Sequence, residues 1–301
     1  MQKQETDIRE LFSLIWSEKI KIITFSFVLF SFSFLYSLTL KDEYTSEAVF
    51  MVSDQSSGSS QIPSNYSSIA SMAGINIPQS DSETKVNLGL EIMLSREFLY
   101  NFIATRNLMV PIMAAKEWDA SSNTLIIDKE IYNSKNKNWE SYKGKENSPS
   151  MHEAYKEFLS YLSIEKNKLT GFITISITSP SPVNSRDWVN FIIQDINKVS
   201  KSKDLDKTNK ALEYLNLQVS KTSLKELREV FYSIIESELR TKMLASISEE
   251  YLFSIIDQPI IAEKRGSPNR LFISIIGGIL GFIIGLTFVL MGAFLKEEPI
   301  K

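Results

Sequence analysis

Two apolar runs, Ile22–Leu40 and Leu271–Leu295, stand near opposite ends of a 301-residue chain, and neither contains a charged residue. At about 1.5 Å per residue they extend roughly 28 Å and 37 Å as helices, against a bilayer hydrocarbon core of about 30 Å. Both are therefore expected to span a membrane, with the 41–270 segment forming a folded domain tied to one membrane face by both ends. The first run mixes Ser26, Ser31, Ser33, Ser37, Thr24 and Thr39 with phenylalanines; the second has only Ser274 and Thr287 as polar side chains. Buried core helices rarely reach such lengths without a charge. Ser37-x-Thr39 is the only faint cleavage-like pattern after the first run, so an uncleaved anchor is expected.

Lys3, Arg9, Lys19 and Lys21 precede the first run, and Lys296 and Lys301 follow the second. Positive charge beside membrane ends favours the cytoplasm, whereas long loops translocate largely regardless of their own charge. The expected layout has a cytoplasmic tail at 1–21, a first span at 22–40 and an outside domain at 41–270. A second span at 271–295 and a cytoplasmic tail at 296–301 complete it. The outside domain is close to neutral, which gives no nucleic-acid surface. With no cysteine, no disulfide holds it.

The fold class expected is α+β: an α/β base with a long helical extension. Tyr44–Val52 reads as a strand from its β-branched and aromatic content. Residues 53–83 are a serine-rich loop with an apolar island at Ile69–Ile75, read as a docking patch or a contact to a neighbouring subunit. Ser80-x-x-Glu83 has capping-box spacing and opens a helix whose apolar face is Leu88, Ile92, Leu99 and Ile103, through to about Arg106. Residues 133–150 are polar and read as a surface loop. A helix near Met151–Leu162 leads into a hairpin, Leu162–Lys166 and Phe172–Thr178, whose Ile173, Ile175 and Ile177 alternate with hydroxyl residues.

From Val183 to Gln258 there is neither glycine nor proline. Ser181-Pro182 fits an N-cap and first helical position, and helical stripes follow: Trp188, Phe191, Ile192, Ile196 and Val199, then Leu212, Leu215 and Val219, then Leu227, Phe231, Ile235, Leu239, Met243 and Ile247. A single helix over about 182–250 would reach roughly 100 Å, yet the chain must return to the bilayer it left. A helical hairpin restarting at Ser223-x-x-Glu226 is the favoured reading and a single rod the alternative. Tyr251–Ile256 is then a strand able to join the one near Tyr44.

Catalytic vocabulary is sparse. The single histidine, His152, reads as a solvated surface residue, and HExxH, CxxC, GxSxG and phosphate-loop patterns are missing. No catalytic residue, metal site or cofactor is expected. The informative segment is Asp257–Arg270. Pro259 and Pro268 stiffen the approach to the second span, and Lys264, Arg265 and Arg270 can lie at head-group level. Within the span, Gly277, Gly281 and Gly285 form two overlapping G-x-x-x-G units, a small-residue face for another helix. Its partner is open: the first span, a second copy or another membrane protein.

Three features together resemble the polysaccharide co-polymerases, or Wzz-type chain length determinants, of bacterial inner membranes. These are the Asp7–Lys19 lead into the first span, Tyr44–Val52 just beyond it, and the proline-rich approach to the second span. The family pattern P-x-x-P-x-x-x-x-S-P is matched at Pro259, Ser267 and Pro268, with Ala262 where its second proline would stand. The resemblance implies a multi-pass inner-membrane protein with both termini cytoplasmic and a periplasmic domain, assembled as a homo-oligomer ring. It implies no enzymatic activity. The chain would set the length of an O-antigen, common antigen or related lipopolysaccharide or capsule polymer made by a Wzy-type polymerase. Its expected partners are that polymerase, the growing polysaccharide and the lipid bilayer. The class with a fused tyrosine kinase is not expected, since six residues follow the second run. The alternative is a membrane adaptor regulating a separate tyrosine kinase in exopolysaccharide or capsule export.

Overall fold

In the computed structural model, which describes residues 15–53, 82–142 and 148–296, the chain divides into two compact units. The smaller comprises residues up to Glu43 and from Arg265 onward; the larger is Tyr44–Lys264. Residues 54–81 of the expected 53–83 loop, with its apolar island and Ser80 of the first capping box, most of the Asp7–Lys19 lead and the last residues of the chain lie outside the described residues, while Ser82 and Glu83 are already helical.

Alternation builds the sheet of the larger unit. Along β1 (Tyr44–Val52), Ser46, Ala48 and Phe50 face inward while Thr45, Glu47 and Met51 face out. β7 (Ile173–Ser179) buries Ile173, Ile175 and Ile177, with Ser179 following them on the same face, and turns Thr174, Ser176 and Thr178 to the other. The two strands pair antiparallel with Ala48 opposite Ile175 and Phe50 opposite Ile173. β6 (Leu162–Lys166) adds to the far side of β7, and β8 (Phe253–Asp257) to the far side of β1, giving the order β6-β7-β1-β8. The 251–256 strand expected to join the Tyr44 strand is this β8. Two small hairpins, β2 (Ala115–Asp119) with β3 (Thr124–Ile127) and β4 (Tyr132–Asn133) with β5 (Asn138–Trp139), stand apart from the main sheet. The second of them occupies part of the stretch expected to be loop.

After the small hairpins come α5 (Met151–Tyr161) and the outgoing helix α6 (Pro182–Lys221); before them come α2 (Ser82–Leu94), α3 (Arg96–Thr105) and the single turn α4 (Met109–Met113). The inward sheet face is covered by Phe98, Leu99, Phe102 and Ile103 of α3, Phe158 of α5, and Trp188, Val189, Ile192 and Ile196 of α6. Each such side chain contributes about 1.5–3 kcal/mol by leaving water. The expected continuous helix through Arg106 is broken at Ser95, whose hydroxyl accepts the Phe98 amide as a new N-cap. The break has a packing reason. It redirects α3 so that two phenylalanines enter the core, and it leaves Leu88 of the expected stripe 59% exposed. α5 opens on a reciprocal Ser150–Glu153 capping box. His152, expected to be solvated, is half-buried, with Nδ1 3.1 Å from the Tyr100 hydroxyl.

The long glycine-free region is a hairpin. α6 is 40 residues long and α7 (Lys225–Ile247) is 23, or roughly 60 Å and 35 Å. Ser181 caps α6 through the Asn184 amide, with Pro182 in the first turn. The restart differs from the expected capping box: the N-cap is Leu224, one residue after Ser223, with no side-chain hydrogen bond.

What holds the hairpin near the sheet is polar. Asn197 is buried; its Oδ1 accepts the Leu252 and Phe253 amides, each at 2.8 Å, and its Nδ2 donates to the Phe253 carbonyl at 2.9 Å. Lys201 Nζ donates to the Ser246 and Ser248 carbonyls at the end of α7. The Tyr251 hydroxyl donates to Asp204 at 2.7 Å, and Thr208 to Glu238 at 3.0 Å. Burial, aided by the Asp204 carboxylate, raises the Tyr251 phenol above its ordinary value. Apolar packing resumes farther out at Leu212, Leu215, Val230 and Phe231. The every-fourth-residue stripe of α7 is therefore split. Phe231 is buried, whereas Leu239, Met243 and Ile247 are 51%, 56% and 70% exposed.

Arg106 ties the end of α3 to α6. It makes a two-pronged contact to Asp195 at 2.7 and 3.2 Å and lies 4.3 Å over the Phe191 ring. The Asp195 hydrogen bond raises the guanidinium pKa further. Arg106→Lys keeps the charge but loses the fork, so a loss of about 1–3 kcal/mol in denaturation of the full-length protein is expected.

Asn197→Leu strands two buried amides and a carbonyl, for an expected loss of roughly 2–5 kcal/mol. Hydrogen exchange of the full chain should show lost protection at Leu252 and Phe253, with the β6–β7 pairing retained. Unchanged protection there would remove Asn197 from this role.

In the β2–β3 turn, hydrogen bonds from Ser121 and then Ser122 lower the exposed Asp119 carboxyl to about 2. Because the folded value is depressed, the turn's contribution is complete above the ordinary carboxylate range and fades as pH falls toward about 2. An NMR titration of Ser121→Ala should move that midpoint upward.

Candidate functional site

The smaller unit is a pair of antiparallel apolar helices, α1 (Lys19–Thr39) and α8 (Arg270–Lys296), each long and apolar enough by length and composition to cross a membrane. Their seam is made of small residues. A Cβ built on Gly281 would lie 2.7 Å from both the Phe25 carbonyl oxygen and Ser26 Cα. One on Gly285 would lie 3.0 Å from Ile22 Cα, and one on Gly277 would run into the Ser33 side chain. The two overlapping G-x-x-x-G units thus lie against the first apolar helix, the first of the three partners the sequence left open. Gly292 is different, with nothing within 4 Å of a built Cβ.

The hydroxyl residues of α1 answer these glycines. Ser26 Oγ donates to the Gly278 carbonyl at 2.8 Å, and Ser37 is fully buried with its hydroxyl turned back to the Phe34 carbonyl. On α8, Ser274 donates to the Arg270 carbonyl and is 1% exposed. Phe25 and Phe288 meet with ring centres 5.5 Å apart. A close backbone approach supplies dispersion contact along the whole seam, which drives helix association where apolar burial gives no advantage over lipid.

At the end of the pair where the chain leaves and returns, the backbone is stapled. Glu43 N donates to the Ser267 carbonyl at 2.9 Å, and Gly266 N to the Glu43 carbonyl at 2.8 Å. The Ser267–Pro268 peptide is cis. Asp42 accepts from Arg270 at 2.8 Å and from Arg265 at 3.4 Å. Among the proline-motif residues, Ser267 and Pro268 belong to this unit, while Pro259 is buried in the larger one. There, the Ser46 hydroxyl donates to the Ile260 carbonyl at 2.7 Å, one residue past Pro259. Ser185 Oγ lies 2.6 Å from the Tyr44 carbonyl and 2.9 Å from Ser179 Oγ. Each unit thus carries its own hydrogen bonds between the outgoing and the returning chain.

Asp42, Asn197 and the Ser179–Ser185 cluster are the residues that sequence reasoning missed. A lone amide inside the Ile192, Ile196, Val199 stripe was the signal for Asn197. For Asp42 it was an acid just beyond the first span, facing a basic cluster just before the second. Among the described residues, no group of three histidine, cysteine or acidic side chains is gathered to hold a metal ion. A groove of about 280 Å³ between α3 and α6 is lined by Asn101, Phe102, Thr105, Asp195 and Lys198, but its carboxylate is already committed to Arg106.

Residues 4–106 match the family described as "Wzz: Chain length determinant protein". None of the curated proteins matches the chain. Among solved structures, the chain is similar to a full-length bacterial polysaccharide co-polymerase, with 14% identity and TM-score 0.39, over 98% of this chain and 100% of that one. It is also similar to a fragment of WzzB, a polysaccharide co-polymerase from Salmonella Typhimurium, with 15% identity and TM-score 0.28, over 75% and 100% of the two chains. A third is the Shigella flexneri lipopolysaccharide O-antigen chain-length regulator WzzBSF, with 9% identity and TM-score 0.20, over 74% and 100%. All three TM-scores lie below 0.5. The likeness that can be carried forward is therefore that of residues 4–106 to the Wzz chain length determinant family, over about a third of the chain.

Proposed function

We propose that this protein is a non-enzymatic scaffold of a bacterial inner membrane that sets the length of a surface polysaccharide made by a separate Wzy-type polymerase. Both termini lie in the cytoplasm and residues 41–270 in the periplasm. Several copies assemble, and the growing polysaccharide passes their surface. The observation that carries the reading is the family match in a chain whose two apolar helices bracket one α/β unit with a helical hairpin. In that frame geometry regulates and bond chemistry stays with the polymerase. The glycine seam is occupied within the chain, so the outward faces of α1 and α8, with Phe32, Leu35, Ile276 and Ile283 exposed, are left for lipid and for the polymerase.

Deletion followed by a surface-polysaccharide gel tests the reading. Loss of the modal length with polymerisation retained is expected; loss of all polymer would instead indicate export or kinase regulation. Gly281→Leu forces the helices apart, a strain of about 1–3 kcal/mol, and should blur the length distribution, whereas Gly292→Leu should leave it intact. Helix pairing can be read directly by oxidising Ser26→Cys with Gly278→Cys, since the chain has no cysteine of its own. If Gly281→Leu abolishes that cross-link while polymer length stays unchanged, the helix pair is not part of length control.

A further inference from the structure

Two guanidinium groups share one carboxylate at the end of the helix pair. Arg270 Nη2 donates to Asp42 Oδ1 at 2.8 Å, and Arg265 Nη1 reaches Oδ2 at 3.4 Å. Each arginine carries five N–H donors in a planar fork suited to carboxylate or phosphate oxygens, so a single carboxylate leaves most of them unused. Arg270 is the more enclosed of the two, with a side chain only 24% exposed. Its Nε is buried with no hydrogen-bond partner among the described residues. A buried donor on a charged group without an acceptor is rare and unfavourable.

The position narrows what the acceptor is. Asp42 stands three residues beyond the end of α1, and Arg270 is the first residue of α8. Both therefore sit at the boundary of the apolar segments, where arginines reach the phosphates of lipid head groups. The helix end itself is already occupied: Asn269 Oδ1 accepts the Phe272 amide. The guanidinium pair, not the amides of α8, is the feature that faces an anion.

We propose that Arg265 and Arg270, aligned by Asp42, form a binding site for the phosphate of an anionic membrane lipid. Asp42 then has two opposed effects. It orients both forks, and it competes with the phosphate for their donors. A purely structural clasp makes Asp42 an asset in every respect; a phosphate site makes it a brake on ligand affinity. That difference in sign gives the test.

The inference rests on the reading of α1 and α8 as membrane spans, which co-flotation of the full-length protein with vesicles checks on its own. Failure of the wild type to co-float sinks the membrane reading; co-flotation without lipid preference sinks only this site. The protein is placed in bilayer discs of phosphatidylcholine mixed with phosphatidylglycerol, and retained lipid is counted by native mass spectrometry. Wild type is expected to retain phosphatidylglycerol over phosphatidylcholine. Combined Arg265→Gln and Arg270→Gln should lower that retention roughly thirtyfold, given about 1 kcal/mol per basic side chain at an anionic surface and about 1.4 kcal/mol per factor of ten. Asp42→Asn should raise it. Equal retention by wild type and the double variant overturns the proposal, as does a fall in retention with Asp42→Asn while the Ser26→Cys and Gly278→Cys cross-link still forms. Displacement of the lipid by inorganic phosphate at millimolar concentration overturns the lipid as the source.

Discussion

The pairing of β1 with both β7 and β8 is the interaction on which the larger unit depends. β1 is the first segment after Glu43 and β8 the last regular element before Arg265, so this ladder joins the start of the unit to its end. Everything between is an excursion whose two ends are already hydrogen-bonded together. That makes a 40-residue helix tolerable, because its far end need not find the way back: α7 and Tyr251–Phe253 do so along α6. The price is loop-closure entropy, which grows only slowly with length. The pairing also explains why polar contacts cluster at one level. Asn197 serves as a backbone substitute for the first residues of β8, completing hydrogen bonds that no strand supplies there.

The sequence revealed those parts of the fold in which one face is wet and the other dry. Ile173, Ile175 and Ile177 announced β7 because a strand exposed on one side must alternate, and the structure buries all three. The hairpin was the favoured reading because the chain was expected to come back toward its start, with a single rod left as the alternative, and α6 and α7 show the hairpin. Where burial was set by third parties, the pattern misled. Leu239, Met243 and Ile247 have helical spacing, yet α6 is met by Val230, Phe231 and Ala245 instead. The break at Ser95 was hidden because a serine inside an apolar pattern reads equally as a tolerated helix residue or a cap.

In the helix pair the legible part was the small-residue face. Spacing of four fixes which glycines share a side of α8, but not what lies against them, and Ser26, Ser33 and Ile22 of α1 could be named only from the three-dimensional arrangement. Asp42 was equally opaque. Its partners lie more than 220 positions away in the chain, and their arginines read alone as ordinary interfacial charges.

The hydroxyl residues of α1 also bear on how the chain is made. α1 is complete at Thr39 and its partner begins at Arg270. At a synthesis rate of about 5–20 residues per second, roughly ten to fifty seconds separate the completion of the first helix from the appearance of the second. Through that interval Thr24, Ser37 and Thr39 need no neighbour, since each hydroxyl donates to a carbonyl one turn back in its own helix. Ser26 differs from these three, with its acceptor on Gly278. Thr24, Ser37 and Thr39 are thus satisfied within the first helix from the start, whereas Ser26 takes its partner only when the second arrives.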